Sequence, residues 1–560
     1  MQLFDSQFDI LPYLVGEQVH KTFSCDLKMG TRNILVEACE LPKPDVIKLL
    51  IKHNGNEIDL NSPDPKTGRT PLTSAVEKGL IETVKVLINH GANLDTKNGQ
   101  GNSPLTIAIE SIKDYDLEII KLLVDQGANV DIINGDKEGM TPLTCAINCG
   151  YIEVVEILLK NEANVDLMNG IGWTPINLAI ELRHIEVLKL LASKGADFEI
   201  MDGKGWTPLT RAIVKGSNTE IVKFLYENGA NLDTLNAEKR SPLTLAIQHV
   251  EPYGLEITKF LIEQGANVNI IDQDLLGMSP ITAAIDTGHI EVVKILLNNG
   301  ANINIIDGGG YTPINSAIQF DRIEIVRFLI EKGANVDKMD KGGWTPILTA
   351  LEYGHNEVVK MLVAHGADVD LVDNAGWYPM ALAIAKNNVD MIKYLLEQGA
   401  NVNLNLIDDS DWTPLTKAIA NENFEVVKLL VENGADVDLR DSRGWTPLTY
   451  AIAKNNLDIT EYLIQQNANV NLGDIHGQTP LIRAVAKDNI ELVTILVENG
   501  ANTIYPHNLL NYAIIRHNVR IIKFLMNNGA SLRNFDVMSG NNAIEMALVE
   551  NHIDIFKMCV

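Results

Sequence analysis

The sequence predicts an all-α fold in which helix pairs stack side by side as a solenoid, and three observations point to it. A Thr-Pro or Ser-Pro pair recurs along the 560 residues, most often at steps of 33. Apolar residues after each pair recur at three- and four-residue spacing, which is typical of helices. Glycine ends most of these segments. Such short helices cannot bury their apolar faces alone, so neighbouring repeats must cover one another.

The unit 340–372 shows why each element is expected. A glycine pair permits a tight turn, and Thr345 can then cap a helix start. Pro346 falls at the first helical position, where its missing N–H costs nothing. We expect Gly354 to end this short helix in a left-handed conformation, and Gly366 to end the second helix.

The repeats are defined by the Thr-Pro position, where Ser or Tyr replaces Thr in some copies. These positions are Thr70, Ser103, Thr141, Thr174, Thr207, Ser241, Ser279, Thr312, Thr345, Tyr378, Thr413, Thr446 and Thr479. Degenerate copies at Asn33, Asn508 and Asn542 bring the total to sixteen. The predicted organisation is therefore a repeat array over 31–560, regular over 33–505 and degenerate over 506–560.

Residues 1–30 precede the repeats and contain an apolar cluster. We interpret them as an N-terminal cap or extension, because a terminal repeat needs its open face covered. A short docking motif is the alternative, and Leu11-Pro12 resembles the opening of an F-box.

The spacing also indicates an internal duplication. The step from Ser103 to Thr141 is as long as the step from Ser241 to Ser279, and both exceed the usual step. The two long steps begin at Ser103 and Ser241. The similar segments TPINLAI at Thr174 and TPINSAI at Thr312 are separated by the same number of residues as these two starts. We infer that a block of four repeats was duplicated, which predicts matching bulges at every fourth repeat.

Composition narrows the partner class and the compartment. The net charge, 46 − 73 = −27, argues against nucleic acid and anionic membranes. It would favour a basic or neutral protein partner, although an acidic surface kept for solubility is the simpler explanation. Five cysteines without framework spacing favour a reduced intracellular compartment. No apolar run reaches the roughly 18–20 residues of a membrane span. The N-terminus is also a poor secretory signal. We therefore expect a cytoplasmic protein, with a nuclear location or delivery into a host cell left open.

The turn–helix–helix layout, the T-P-L phrase and the 33-residue period together resemble an ankyrin-repeat protein. The resemblance implies one curved, elongated array whose hairpin-like fingers border a concave groove for partners. The family phrase continues with histidine, which ties neighbouring turns, whereas Thr or Asn stands there in this chain, as at Thr73 and Asn177. We therefore expect weaker ties between turns, offset by a bulkier Ile after the core alanine, as at Ile109.

The residue directly before the Thr-Pro position, here called the slot, is aromatic in seven repeats. The resemblance places the slot on the finger, facing the groove. The candidate partner-binding residues are the slot residues Trp173, Trp206, Tyr311, Trp344, Trp377, Trp412 and Trp445, with Phe320 and Tyr353 at first-helix ends. Each slot ring could pack on the next finger instead of contacting a partner. We expect Tyr311, Phe320, Trp344, Tyr353 and Trp377 to form a central aromatic patch for binding.

No pattern for catalysis or metal binding emerges. Cys145 and Cys149 lie four residues apart without a second ligand pair, so we predict no metal site. Phosphate loops, nucleophile elbows and HExxH are missing from the sequence, and we predict no enzyme and no cofactor. The family resemblance also implies possible asparagine hydroxylation at Asn269, Asn304, Asn403 and Asn471.

The function predicted from these observations is a non-catalytic scaffold for protein–protein interaction. It would hold a protein or an extended peptide in the groove. The alternative is a targeting arm of a larger assembly, either a ubiquitin-ligase adaptor or a microbial effector directed at a host.

Overall fold

The computed structural model describes residues 33–54, 58–111, 117–216, 219–249, 254–403, 412–504, 509–530, 543–550 and 552–559. Within these ranges the regular elements are helices and no strand occurs, which confirms the all-α prediction. The predicted cap at 1–30 lies outside the described residues, as do 112–116 and 250–253, which belong to the two long steps.

Each repeat begins with a short first helix, and most of these helices start on the proline of the Thr-Pro pair. The first helices are Ile34–Ala38, Pro71–Glu77, Pro104–Glu110, Pro142–Cys149, Pro175–Glu181, Pro208–Val214, Pro242–Gln248, Pro280–Asp286, Pro313–Gln319, Pro346–Glu352, Pro379–Ala385, Pro414–Ala420, Pro447–Ala453, Pro480–Ala486, Leu509–Ile515 and Ala543–Val549.

A second helix follows in each repeat, and it is longer than the first in every repeat except the last, where both have seven residues. The second helices are Pro44–Asn54, Ile81–Asn89, Leu117–Asp125, Ile152–Lys160, Ile185–Ser193, Thr219–Glu227, Leu255–Glu263, Ile290–Asn298, Ile323–Glu331, Asn356–Ala364, Val389–Glu397, Phe424–Glu432, Leu457–Gln465, Ile490–Glu498, Val519–Asn527 and Ile553–Cys559.

The predicted helix signals act as expected in the unit 340–372. Thr345 Oγ1 accepts a hydrogen bond from the Leu348 N–H at 3.3 Å, so it caps the first helix. Pro346 occupies the first helical position. Gly354 and Gly366 have φ values of 76° and 88°, the left-handed conformation that ends a helix without steric cost.

Two compact units divide the chain, one formed by 1–283 with 298–300 and the other by 284–297 with 301–560. Inside each unit the first helices are almost completely buried, whereas the second helices bury one face only. The bulky Ile after the core alanine is buried where it was predicted to add apolar contact, for example at Ile109 and Ile318. The apolar core of each unit therefore follows its row of first helices.

The fingers are closed by hydrogen bonds and linked to the next finger through their backbones. The Asp340 N–H donates to the Trp344 carbonyl at 3.1 Å and so closes one finger. The Lys341 N–H then donates to the carbonyl of Gly310 in the preceding finger at 2.8 Å. A second link runs from the Asp368 N–H to Asp337 Oδ1 at 2.9 Å. Short polar side chains therefore connect consecutive repeats.

The position that holds histidine in the family makes two kinds of contact here. At Thr210 the hydroxyl turns back and donates to the Thr207 carbonyl at 3.1 Å, within its own turn. Asn177 reaches the next finger, because its Nδ2 donates to the Trp206 carbonyl at 3.1 Å. Thr244 also reaches the next finger and donates to Asp272 Oδ2 at 2.6 Å. Some residues at this position therefore connect neighbouring fingers and others do not, and the weakening of the ties stays a prediction.

The two long fingers, which occupy equivalent places in the two copies of the block, have the same internal hydrogen bonds. Asn134 N–H donates to the Met140 carbonyl, and Asp272 N–H donates to the Met278 carbonyl, both at 3.0 Å. An aspartate inside each finger, Asp136 or Asp274, accepts from the N–H three residues later at 2.6 or 2.7 Å. The matching construction supports a duplicated block.

Candidate partner-binding surface

The slot aromatic is positioned by the acidic or amide residue that begins its finger. Trp344 N–H donates to Asp340 Oδ1 at 2.9 Å, and Trp206 N–H donates to Asp202 Oδ1 at 3.0 Å. One carboxylate oxygen therefore holds the finger closed, and the other is available to a neighbouring side chain. In three repeats, that neighbour is the residue nine positions later, on the first helix.

Trp173 and Trp206 pack against a buried arginine of the same unit. The Arg211 guanidinium carbon lies 4.5 Å from the ring centroid of Trp173 and 5.7 Å from that of Trp206. The guanidinium pairs with Asp202 Oδ2, and its second nitrogen lies 3.7 Å from Glu181. These two rings therefore have a partner inside the chain.

Trp412 and Trp445 are similarly engaged. Trp412 Nε1 donates to the Tyr450 hydroxyl at 2.8 Å, and that hydroxyl donates to Asp441 Oδ2 at 2.7 Å. The Arg483 guanidinium carbon lies 3.9 Å from the centroid of Trp445. For these four tryptophans the packing interpretation has direct structural support.

The centre of the predicted patch is different, because three of its rings line an open cavity. Tyr311, Trp344 and Tyr353 border a cavity of about 310 Å³. Tyr311 and Tyr353 expose 42% and 50% of their surface, and Trp344 is half-buried. We call this the aromatic cavity. The structure thus brings together three of the five residues predicted to form the patch.

The other two predicted residues do not line this cavity. Phe320 is 40% exposed, at the end of the first helix of the preceding repeat. Trp377 is half-buried, and its N–H donates to Asp373 Oδ1 at 2.7 Å, which closes the next finger. The cavity is confined to one pair of neighbouring repeats and includes three of the five residues, and the five-residue patch as a binding surface stays a prediction.

The polar wall of the cavity was not predicted from the sequence. It includes Gln319, Asp340, Thr349 and Glu352. Glu352 forms an ion pair with Lys386 at 2.6 Å. The sequence did contain a signal for this wall. Alignment of the two copies of the block places Thr349 at the position of Arg211. Leu275 and Leu276 were also missed, although they are exposed apolar residues of a long finger.

Cys145 and Cys149 interact with each other. Cys145 is buried, Cys149 is exposed, and the hydrogen bond from the Cys145 thiol lowers the pKa of Cys149 to about 7. Within the described ranges, no three His, Cys, Asp or Glu side chains come together as a metal-binding group.

The asparagines singled out for hydroxylation connect repeats. Asn403 Nδ2 donates to the Gly434 carbonyl at 3.2 Å, and its Oδ1 accepts from the Asp436 N–H at 2.8 Å. Asn471 makes the equivalent pair of contacts with Gly500 and Asn502. The amide at this position is therefore used by the fold, and its hydroxylation stays a prediction.

No helix among the residues that the structure describes combines the length and the apolar content that a membrane span needs.

Relatives of known identity are similar to short stretches of this chain. Rabankyrin-5 of Homo sapiens is 29% identical over 100 residues, which are 16% of this chain and 8% of that protein. Oxysterol-binding protein homolog 2 of Saccharomyces cerevisiae is 42% identical over 60 residues, 11% of this chain and 5% of that protein. Ankyrin repeat and SOCS box protein 6 of Pongo abelii is 30% identical over 107 residues, 19% of this chain and 24% of that protein. The chain thus spans less than a quarter of the length of each of these relatives.

One solved structure is similar to part of this chain, and a family model matches most of it. The ankyrin repeat domain of Bcl-3 is 24% identical and covers 39% of this chain and 98% of its own, with a TM-score of 0.37. A model of ankyrin repeats in three copies matches overlapping windows 5–98, 35–134, 105–202, 194–272, 250–340, 305–373, 347–441 and 415–506. Because these windows cover most of the sequence, the chain belongs to the ankyrin-repeat family.

Proposed function

We propose that this chain is a non-catalytic scaffold that binds a protein or extended peptide through its fingers and first helices. The aromatic cavity is the centre of that contact. The observation that carries the proposal is the contrast between the slots. Four slot tryptophans contact an arginine or a tyrosine of the chain, whereas the slot residues Tyr311 and Trp344 face an open cavity together with Tyr353 at the end of a first helix. Rigid aromatic side chains around a pocket are the residues that contribute most to binding energy.

The family and its ankyrin-containing relatives support a protein-interaction scaffold as the class of function. The concave groove as the docking surface is our own proposal. It is supported by the position of the cavity between one finger and the first helix of the following repeat, bordered by Gly310 on the finger and Thr349 on the helix. A segment lying across several fingers would pass this point.

Charge favours a basic or neutral partner. The chain carries a net charge of −27, and two carboxylates, Asp340 and Glu352, line the cavity itself. Nucleic acid would be repelled by the same charge. A positively charged protein segment would be attracted over a distance and then meet the aromatic rings at close range.

Panning a library of random peptides on the full chain tests the proposal. Peptides selected on the wild type should lose at least tenfold in affinity when Trp344 and Tyr353 are both changed to alanine, since truncating two hot-spot residues costs about 2 kcal/mol or more. Tyr394→Ala is the matched control, because Tyr394 is a half-buried aromatic residue of a second helix, away from the fingers. Selected peptides that bind the double variant and the wild type equally would remove this surface from consideration.

The second candidate function, a targeting arm of a larger assembly, rests on the relatives. The relatives are much longer than the stretches they share with this chain, and one of them is named for a SOCS box beside its repeats. Purification of the native protein under mild conditions tests it. Stoichiometric subunits that stay bound to the double variant would favour the arm, and a chain recovered alone would oppose it.

We further propose a cytoplasmic location. Support comes from Cys39, Cys145 and Cys149, which are free thiols in the structure, as expected in a reducing compartment. Fractionation of native cells, with imaging of the tagged chain, is the test.

A further inference from the structure

Both copies of the duplicated block contain a group of slot aromatics beside a finger aspartate. In the first copy, an arginine of the chain lies within this group. Arg211 lies over the rings of Trp173 and Trp206, at 4.5 Å and 5.7 Å from their centroids. It pairs with Asp202 and approaches Glu181 at 3.7 Å. Arg211 itself is 7% exposed. A guanidinium group is thus held by an aromatic face and a finger carboxylate.

The same arrangement recurs in the second unit around Arg483. Its guanidinium carbon lies 3.9 Å from the Trp445 centroid, and its nitrogen lies 2.5 Å from Asp474 Oδ2. In both cases the arginine stands nine residues after the finger aspartate. Two independent repeats therefore place the same chemical group against a slot tryptophan and a finger carboxylate.

The second copy of the block has a similar frame without the arginine, with Tyr311 in place of Trp173 and Gln319 in place of Glu181. We align the two copies so that Thr174 matches Thr312. Trp173 and Trp206 then correspond to Tyr311 and Trp344, and Asp202 and Glu181 correspond to Asp340 and Gln319. Thr349 stands in place of Arg211. All five of these residues of the second copy line the aromatic cavity of about 310 Å³. The cavity therefore lies where an arginine is held in the related copy.

Two details show that the chain does not satisfy this frame by itself. The Thr349 hydroxyl donates to the Thr345 carbonyl at 3.1 Å, within its own helix. Among the residues that the structure describes, no side chain donates a hydrogen bond to Asp340 Oδ2 or forms an ion pair with it. Tyr353 stands at the position of Lys215, which pairs with Glu181 in the filled copy. An aromatic ring thus replaces the second cation of the filled copy.

We propose that the aromatic cavity binds an arginine side chain of a protein partner. The inference rests on the proposed function and specifies the chemistry of its central contact. The guanidinium stacks on Trp344 and Tyr311, and its N–H groups donate to Asp340, as those of Arg211 donate to Asp202. Arginine suits this frame better than lysine, because its planar group stacks on rings and donates to a carboxylate at the same time.

Fluorine NMR of the full chain labelled with 5-fluorotryptophan tests the inference. The chain has six tryptophans, and Trp344→Phe identifies the resonance of Trp344. N-acetylarginine amide is the probe, and its Kd should be on the order of 1 mM, because a ligand of this size makes few contacts. We expect the Trp344 resonance to shift on titration, with N-acetylcitrulline amide, which lacks the charge, giving no comparable shift.

Thr349→Arg is the decisive variant. It restores the arginine of the related copy, so the chain should fill its own cavity. The Trp344 resonance should be displaced already without probe and should not respond to N-acetylarginine amide, while the other five resonances keep their positions and report an intact fold. A wild type that gives no Trp344 shift, a citrulline derivative that binds equally, or a Thr349→Arg chain that still responds would each overturn the inference.

The selected peptides separate this inference from the proposed function. Peptides that lose affinity in both the double alanine variant and Thr349→Arg support the two together. Peptides that lose affinity only in the double variant leave the surface in place and overturn the arginine contact. Peptides unaffected by the double variant overturn the proposed function, whatever the probe does in the NMR experiment.

Discussion

A finger aspartate in this protein has two tasks, one for each carboxylate oxygen. The first oxygen accepts the slot N–H and is used in the same way at Asp202, Asp340 and Asp441. The second oxygen depends on the residue nine positions later. A long arginine or tyrosine there reaches the carboxylate and covers the slot ring, whereas a threonine leaves both open to a partner. The residue nine positions after the aspartate therefore decides whether the chain itself covers a slot aromatic, and under our proposal an uncovered one belongs to the binding surface.

Replacing Arg211 by threonine and Thr349 by arginine should have opposite effects on local stability. Arg211→Thr removes one member of a buried ion pair, and we expect the local opening free energy of 208–214 to fall by about 3 kcal/mol. Thr349→Arg adds a stacked cation and should raise that of 346–352 by about 1 kcal/mol. Hydrogen exchange read by mass spectrometry suits a repeat array, which opens locally. Unchanged protection of 208–214 in Arg211→Thr would contradict this account of the pair.

Cys149 should be the most reactive of the described thiols near neutral pH. The hydrogen bond from Cys145 stabilises the Cys149 thiolate and lowers its pKa from 9.0 to about 7. Since the thiolate is the nucleophile, alkylation by iodoacetamide should rise as pH increases through about 7 and fall below it. Burial raises the pKa of Cys39 to about 12, so that thiol should stay unmodified in the folded chain.

Cys145→Ala provides the control for that prediction. Without the donor thiol, the pKa of Cys149 should return toward 9.0. Its alkylation rate at neutral pH should then fall by roughly tenfold or more, because the thiolate fraction falls with the rise in pKa. Equal rates in the two chains would show that the hydrogen bond does not control reactivity.

At the scale of the elements, neighbouring fingers approach so closely that some of their glycines have no room for a side chain. Gly101 has φ +88°, and a Cβ built there would lie 2.5 Å from the carbonyl carbon of Gly135. Gly91 has φ +90°, and its Cβ would meet nothing within 4 Å. A side chain at either position would be strained by the left-handed backbone, but only a side chain at Gly101 would also collide with the neighbouring finger.

This pair allows strain and close approach to be measured separately. Gly91→Ala should cost about 1 kcal/mol from the left-handed backbone alone. Gly101→Ala should cost about 1–3 kcal/mol more, because the neighbouring finger must move away. Hydrogen exchange around each substituted turn gives the two values. Equal costs would show that the fingers separate without resistance.

The elements were predictable from the sequence because their signals are local. Pro346 and Gly354 fix a helix start and a helix end through backbone sterics, and the structure places both as predicted. The width of the aromatic patch was not predictable in the same way. Whether a slot ring is covered depends on side chains of adjacent repeats, so Phe320 and Trp377 appear equivalent to Tyr353 and Trp344 until their neighbours are placed.

At the scale of the whole molecule, some of the acidic residues have a structural role, which the sequence did not reveal. Asp95 and Asp131 each accept a backbone N–H of the following repeat, at 2.9 Å and 2.8 Å. Asp337 and Asp370 do the same in the second unit, both at 2.9 Å. Part of the acidic composition therefore serves the links between repeats, and these carboxylates keep their charge and contribute to the acidic field of the chain, whose net charge is −27.

That acidic field should act mainly on the rate of encounter. For a selected peptide with one anchoring arginine and several other basic residues, the association rate should fall by about tenfold between ionic strengths of about 0.01 M and about 0.15 M. The dissociation rate should change little, because the anchoring contact is short and partly buried. Stopped-flow measurement of tryptophan fluorescence gives both rates. A matched peptide that keeps the anchoring arginine but has glutamine at the other basic positions should lose most of the salt dependence. If both peptides respond equally to salt, attraction is confined to the cavity, and the carboxylates elsewhere serve only the fold.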